Sequence, residues 1–372
     1  LVDIYWPEIH YPLKSHNKMN LNGKKILIIK QSSLGDIIHT LPVVHALKRG
    51  FPACSIGWIV DKSFASLVAQ DKSIDVVFPI HIPSTSNPNS KWSAYGSAFV
   101  ATLDALVELR ATFRSAPYDL ILDLHASFRS GLMAMMNPGG LRIGFKDARE
   151  LNTLFQRRLL DVPEGTVHAV DKNLLFAAHL DCPVAPEDFY LCSSTPDDQR
   201  VAVFLAQSGI GPDDRFVYVN PTARWQSKFW LETSWSELCD KLTDAGVHAV
   251  FGGSGNDAAY IQNIAGRMTR SGAVIAAGQL SLTESVALMK RASAYVGLDT
   301  GPMHIAAMAG VPVAALFGPT HPERVGPYGV RNVIVQAEKV PCLCCRKRVC
   351  DHMSCMRGIS VEQVFAAVMG LL

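Results

Sequence analysis

Short apolar runs alternate with amphipathic stretches along most of the chain, the pattern of strand–helix–strand units built on parallel sheets. In the first half, residues 25–30, 55–60, 75–79, 118–124 and 141–145 read as strands, with helices predicted over 36–49, 63–69, 97–114, 127–136 and 172–180. Ile26, Leu27, Ile28 and Ile29 are apolar without alternation, as a strand covered on both faces requires. A Pro-, Asp- and Ser-rich stretch, 181–198, breaks the rhythm and reads as a linker. The alternation then resumes, with strands predicted at 216–220, 247–251, 273–277, 294–298, 313–317 and 332–335. Helices are predicted at 198–208, 231–245, 257–268, 282–291, 302–309 and 361–371. Two doubly wound α/β domains of similar size follow, spanning 19–185 and 186–372, with residues 1–18 expected to be an extension or tag ahead of Met19. Ligands of such sheets lie beyond the carboxyl ends of the strands, so the site is expected in a cleft between two facing domains.

Composition narrows the class. Of 372 residues, 48% are hydrophobic and 18% charged, and the formal net charge is +2. That balance describes a soluble protein with a large interior and supplies no basic stripe for nucleic acid. The longest uncharged run, 300–322, contains prolines, glycines and His304, so it reads as helix, turn and buried strand and not as a membrane span. The opening residues are polar and aromatic, unlike a secretory leader. Nine cysteines, five of them crowded between Cys342 and Cys355, suit thiols in a reducing cytoplasm.

The loops after the strands hold the candidate chemistry. Val296-Gly297-Leu298-Asp299-Thr300-Gly301-Pro302-Met303-His304 carries a strand into an alanine-rich helix. Thr300 suits the N-cap, Pro302 loses no hydrogen bond in a first turn, and Gly301 lets a ligand approach the backbone. The helix amides and dipole would face a phosphate or diphosphate, although an ordinary capped turn would use the same residues. After the first strand, Lys30-Gln31-Ser32-Ser33-Leu34-Gly35-Asp36 places Asp36 at a helix start. There it serves either as an N-terminal cap or as a general base. Asn220-Pro221-Thr222-Ala223-Arg224-Trp225-Gln226-Ser227-Lys228 offers a hydroxyl at Thr222 and cations at Arg224 and Lys228, suited to neutralising a departing diphosphate. Phe251-Gly252-Gly253-Ser254-Gly255-Asn256-Asp257 sets Asp257 where ribose hydroxyls could be met, without the full Gly-x-Gly-x-x-Gly spacing.

Two further features bear on metals. Cys342-x2-Cys345-x4-Cys350-x4-Cys355, with Cys344 and His352 nearby, permits a zinc or iron–sulfur site by count. The irregular intervals and the surrounding cations Arg346, Lys347, Arg348 and Arg357 suit reduced thiols or adventitious disulfides as well. No Asp-x-Asp occurs in the chain, so a bound diphosphate would be neutralised by side-chain cations and helix amides, not by a divalent ion.

Taken in order, Ser33-Leu34-Gly35-Asp36, Asn220-Pro221-Thr222 with Lys228, Asp299-Thr300-Gly301-x2-His304 and Phe317-Gly318-Pro319-Thr320 resemble the family 9 glycosyltransferases. These are ADP-heptose:lipopolysaccharide heptosyltransferases of Gram-negative bacteria. The resemblance runs from about Lys24 to the last predicted helix, and its collinearity gives it force. It implies a GT-B fold of two facing Rossmann-like doubly wound domains, the acceptor mainly on the first and the nucleotide sugar mainly on the second. It also implies inverting transfer with no cofactor. Asp36 is then the general base, and Thr222, Lys228, Thr300 and Gly301 are the diphosphate cradle. Asp257 holds the ribose, His304 is the histidine following Asp-Thr-Gly, and Asp299 fixes its loop or meets sugar hydroxyls. Ser33 and Gly35 belong on the acceptor side with Arg129 and Arg142, from Asp123-Leu124-His125-Ala126-Ser127-Phe128-Arg129-Ser130 and Arg142-Ile143-Gly144-Phe145. The two arginines read almost equally well as surface cations. The chain departs from the family's core-region enzymes in its cysteine cluster and in the Ser/Asn/Pro-rich stretch 84–94.

The expected activity is heptose transfer from ADP-heptose to the lipopolysaccharide inner core. It would occur on the cytoplasmic face of the inner membrane, with peripheral membrane contact through Arg346 to Arg348 and first-domain cations. The competing readings are another GT-B sugar-nucleotide enzyme or epimerase, and a non-enzymatic nucleotide- or metal-binding regulator.

Overall fold

Ile26 to Ile29 are fully buried, and the strand that contains them lies at the middle of a parallel sheet. In the computed structural model, which describes residues 19–83 and 92–372, this strand is β1 (Lys25–Ile29). It is followed by β2 (Ser55–Asp61), β3 (Val76–Ile80), β4 (Leu120–Asp123), β5 (Leu141–Phe145) and β6 (Arg158–Leu160). Their order across the sheet is β3-β2-β1-β4-β5-β6, with every pairing parallel. The connecting helices are α1 (Leu34–Ile38), α2 (Leu41–Gly50), α3 (Ala65–Ala69), α4 (Trp92–Ser115), α5 (Phe128–Met136) and α6 (Ala169–His179). Leu109 and Phe113 of α4 close one face of the sheet over Leu27, Ile29 and Ile121, with Met133 of α5 beside them. These elements form one unit, residues 19–188.

The second unit, Phe189–Leu372, repeats the plan. Its strands are β7 (Phe216–Asn220), β8 (His248–Phe251), β9 (Val274–Ile275), β10 (Ala294–Leu298), β11 (Val313–Leu316) and β12 (Asn332–Val335). They run parallel in the order β12-β11-β10-β7-β8-β9. Counted within its own unit, that is the same order as in the first sheet. Its helices are α7 (Thr195–Gln207), α8 (Glu232–Asp244), α9 (Ala258–Ala265), α10 (Leu282–Lys290), α11 (Gly301–Met308), α12 (Pro322–Val325), α13 (Ser354–Arg357) and α14 (Val361–Leu371). Trp230 and Trp235 meet edge to face at 4.9 Å in its core, and the Trp230 indole donates to the Ile359 carbonyl at 3.1 Å. In both sheets the winding reverses between two neighbouring strands, β1 with β4 and β7 with β10. Helices diverge from such a reversal, leaving a crevice at the carboxyl ends of those strands.

The sequence-based boundaries hold to within a few residues for most elements, and the exceptions have local causes. The single helix predicted over 36–49 is two, because Pro42 has no N–H for the Ile38 carbonyl and restarts the chain as α2. Thr40 covers the break by donating to the Asp36 carbonyl at 2.9 Å. Strand β6 escaped notice because it is a three-residue edge strand that opens on Arg158. The strand predicted over 273–277 shrinks to its two central residues, and α4 begins five residues ahead of the predicted 97. Residues 1–18 and most of 84–94 lie outside the described residues. Among the described residues, no helix is long and apolar enough to cross a membrane.

A buried clamp fixes α2 within its unit. The His45 ring sits 2.7 Å from Asp71 Oδ2 through Nε2 and 2.6 Å from the Asp188 carbonyl through Nδ1. Arg49 adds a two-pronged pair to the Asp188 carboxylate. Burial would raise the Asp71 carboxyl, but His45 and the Ser73 amide outweigh it and hold it below its ordinary value. A depressed carboxylate stabilises the fold above its unfolded-state pKa, and that contribution fades as pH falls through the lower native value. Asp71→Ala leaves one buried half of the pair and is expected to cost about 3 kcal/mol. Urea unfolding of the two proteins at neutral pH checks this.

Candidate active site

At the second reversal, β7 and β10 run side by side with Gly297 opposite Asn220, so the loops leaving them are neighbours. Lys228, in the short 3-10 turn Gln226–Lys228, reaches across and donates at 2.7 Å both to the Asp299 carbonyl and to Asp299 Oδ2. Only 14% of the Lys228 side chain and 6% of that of Asp299 is exposed, so the pair is largely shielded from water. Asn220 stitches the same two loops: its Nδ2 donates to the Thr222 carbonyl at 3.0 Å and to Thr300 Oγ1 at 3.3 Å. Thr300 holds the N-cap position of α11, yet its hydroxyl turns back to the Leu298 carbonyl and does not cap the helix. Pro302 has no amide to offer, and the Met303 N–H donates to the Thr300 carbonyl at 3.1 Å within the first turn. The structure thus brings together Thr222, Lys228, Asp299, Thr300 and Gly301. His304 is buried one turn further along α11. Asp257 lies beyond β8, where Oδ2 accepts from the Ser254 amide at 2.8 Å and the Ser254 hydroxyl at 2.6 Å.

The cysteine-rich segment braces this edge. The Cys344 amide donates to the Gly318 carbonyl at 2.9 Å and the Arg346 amide to the Pro319 carbonyl at 2.7 Å, fastening the segment to the loop after β11. On its other side, Ser227 donates to the Arg348 carbonyl at 3.2 Å through its amide and to the Lys347 carbonyl at 2.6 Å through its hydroxyl. Trp225 therefore lies under two cations, Lys228 at 4.9 Å and Arg348 at 5.4 Å from its ring centre. Arg348, expected to face lipid, is exposed, with its guanidinium over Trp225 and its backbone carbonyl docked on the Ser227 amide. Gly318 is needed here, since a methyl group in its place would strike the sulfurs of Met356 and Cys355. All nine cysteines are free thiols. Cys342, Cys345, Cys350 and Cys355 do not form a ligand set: among the described residues, no group of three or more His, Cys, Asp and Glu side chains is arranged to hold a metal. Cys355 is buried beside Gly318 while Cys345 is exposed.

At the first reversal the loops after β1 and β4 meet in the same way. Lys30, 8% exposed, donates to the Leu124 carbonyl at 2.9 Å and lies 3.5 Å from Asp36 Oδ1. The other Asp36 oxygen accepts from the Ser33 amide at 2.9 Å and the Ser33 hydroxyl at 2.8 Å, closing a capping box at the start of α1. Burial alone would raise the Asp36 carboxyl, but Lys30, Ser33 and His39 together hold it far below the ordinary carboxylate range. The buried Gly35 lies between these partners in α1.

Behind this carboxylate, buried Asp123 accepts from five donors: the His125 and Ala126 amides, Ser130 Oγ, Asn152 Nδ2 and Gln156 Nε2. Burial still pushes its carboxyl up. The knot fixes the loop that carries His125, which burial, Lys30 and Arg129 push down to about 4. Its Nδ1 is buried with no hydrogen-bond partner among the described residues. Arg129 sits in the first turn of α5, whereas Arg142, on β5, gives its Nε to the Phe155 carbonyl at 2.7 Å. Sequence reasoning assigned no role to Lys30, His125 or Asn220. The signal for each was a polar residue ending or following an apolar strand run.

A pair of Rossmann-like units, each with its polar loops at a strand-order reversal, is the GT-B plan of the nucleotide-sugar glycosyltransferases. The family model of glycosyltransferase family 9 (heptosyltransferase) matches residues 106–355, and the chain belongs to that family. It is 30% identical over 344 residues to lipopolysaccharide heptosyltransferase 1 of Pseudomonas aeruginosa, with 88% of each chain covered. A family 9 glycosyl transferase from Veillonella parvula superimposes with a TM-score of 0.80 at 21% identity, over 96% of this chain and 99% of that one. E. coli heptosyltransferase WaaC with ADP superimposes at 0.70 and 20% identity, over 94% and 100%. With ADP-2-deoxy-2-fluoro heptose the same protein gives 0.67 at 21% identity, over 94% and 100%.

Lys30→Met removes the nearest cation from Asp36 and leaves Ser33 and His39 alone against its desolvation. The Asp36 carboxyl is expected to rise toward the ordinary carboxylate range, which carboxyl-carbon NMR titration reads directly. An unmoved titration would assign the depression to the Ser33 donors.

Proposed function

We propose that this glycosyltransferase moves heptose from ADP-heptose to a hydroxyl of the lipopolysaccharide inner core, inverting the anomeric centre without a metal ion. The observation that carries the reading is the latch of Lys228 on Asp299 beside the first turn of α11. It holds a shielded ammonium next to a helix N-terminus in a family 9 chain, and the two together supply positive charge for a diphosphate. The Pseudomonas relative is a lipopolysaccharide heptosyltransferase, and the E. coli neighbour was solved with ADP and an ADP-heptose analogue.

In the proposed reaction the acceptor oxygen attacks the anomeric carbon, its bond to the diphosphate oxygen breaks on the opposite face, and the hydroxyl proton passes to Asp36. Lys30 and Ser33 keep Asp36 ionised at every physiological pH, so the base is always available. Such a weak base accepts the proton only as the alcohol acidifies during C–O bond formation, which couples the two events. Lys228, the Gly301 amide and the Thr222 and Thr300 hydroxyls receive the charge that develops on the departing ADP. Asp257 takes the ribose, Asp299 and His304 shape the sugar side of the loop, and Ser33, Gly35, Arg129 and Arg142 serve the acceptor. The acceptor is a lipid, so the enzyme works at the cytoplasmic face of the inner membrane.

The test is transfer from ADP-heptose to truncated core acceptors, followed by mass spectrometry. Asp36→Ala is expected to lower turnover by at least about a thousandfold while ADP affinity by calorimetry stays within about twofold; near-normal turnover would overturn the base assignment. Excess chelator is expected to leave the wild-type rate unchanged. Loss of activity that Mg²⁺ restores would sink the cation-cradle reading.

A further inference from the structure

Helix α4 carries two apolar faces. The inner one, with Ala98, Ala105, Leu109 and Phe113, is buried against the first sheet. The outer one is exposed among the described residues: Tyr95, Phe99, Leu103 and Val107 recur every four residues and are 50%, 65%, 46% and 71% exposed, with Val100 alongside. Residues four apart stand above one another on a helix, so the four make a continuous ridge. Scattered apolar residues on a surface are ordinary, but a ridge of this length is not. It also continues sideways. Helix α5 packs on α4, the turn Asn152–Phe155 packs on α5, and both expose apolar side chains of their own, Phe128 and Leu154 among them. Eight of the sixteen large apolar side chains exposed among the described residues fall on these three neighbouring segments.

Charge selects the occupant. Arg110 and Arg114 lie two helical turns beyond Leu103 and Val107 and so extend the ridge as a cationic end. Arg110 is held against the Met136 carbonyl at 3.2 Å, and Arg114 is exposed. The two carboxylates of α4, Asp104 and Glu108, fall on the flank and not on the ridge. Apolar side chains that end in arginines suit an anionic phospholipid layer, which takes rings and aliphatic chains below the headgroups and guanidinium groups among the phosphates. A second copy of the chain would offer no carboxylate on the same ridge to meet those arginines.

We infer that the outer face of α4 is a docking surface for an anionic membrane. The inference rests on the functional reading above only in that a lipid acceptor gives the docking a purpose. Full-length protein is floated with vesicles of phosphatidylethanolamine and phosphatidylglycerol, and in parallel with phosphatidylcholine vesicles. Wild type is expected to float with the anionic vesicles. Phe99→Ser with Val107→Ser is expected to lower the bound fraction at least about tenfold, from lost apolar burial alone. Arg114→Glu is expected to weaken binding to anionic vesicles and not to phosphatidylcholine.

Thermal unfolding and turnover on a lipid-free core acceptor should stay at wild-type values in all variants, since none touches the catalytic loops. Wild type that fails to float, or variants that float equally well, would overturn the proposal. So would a wild-type dimer that Phe99→Ser with Val107→Ser dissociates, because the ridge would then be a subunit contact. Floating protein that transfers no heptose to the lipid-free acceptor would overturn the functional reading and leave the docking surface standing.

Discussion

A shielded lysine stands at each strand-order reversal, and the polar architecture of both units is arranged around it. Lys30 is held by the Leu124 carbonyl and the Asp36 carboxylate, and Lys228 by the Asp299 carbonyl and the Asp299 carboxylate. An ammonium taken out of water is tolerated only where donors and charge are matched, so each lysine dictates the path of the loop opposite it. Asp36 is consequently an ionised carboxylate in a capping box, and Asp299 is fixed at the mouth of α11. The same two contacts that make these loops rigid also set their electrostatics.

The fold supplies what the lysines need. Because β1 neighbours β4 and β7 neighbours β10, loops nearly a hundred residues apart in the chain come within hydrogen-bond reach, as Lys30 does of Leu124. Apolar strands buried on both faces leave polar side chains a place only at the strand ends. Asp123 shows the cost and the remedy, a carboxyl at the foot of the second loop that burial disfavours as an anion and that five donors surround. The cysteine-rich segment is a second brace, from the loop after β11 to the 3-10 turn that holds Lys228. Within it the Cys344 amide is bonded to the Gly318 carbonyl and Cys355 packs beside Gly318.

How much was legible beforehand varies with the range of the interaction. Strands such as β7 and β10 follow directly from apolar runs bounded by turn residues, since burial on both faces leaves little choice of residue type. Pro302 in the first turn of α11 was also readable, whereas Asp36, expected as a cap or a base, stands at the third helical position as the box partner of the N-cap Ser33. Another local reading failed: Thr300 has the composition of a cap but spends its hydroxyl on Leu298, because Asn220 from the neighbouring strand competes for it. Pro42 was visible in the sequence, but strong apolar periodicity on both sides masked the break it causes.

By itself the sequence determined the α/β class, the two runs of alternating elements and the loops that could carry chemistry, because each depends on residue type and on neighbours a few positions away. The order of winding, and with it the meeting of Lys228 with Asp299, of Lys30 with both Leu124 and Asp36, and of Trp225 with Arg348, was decided only in three dimensions. Strand adjacency in a parallel sheet is set by packing summed over whole layers, and no short stretch of residues encodes it. The exposed ridge on α4 belongs to the same category: its four-residue spacing is written in the chain, but which of the helix's two apolar faces is covered depends on the sheet beneath it.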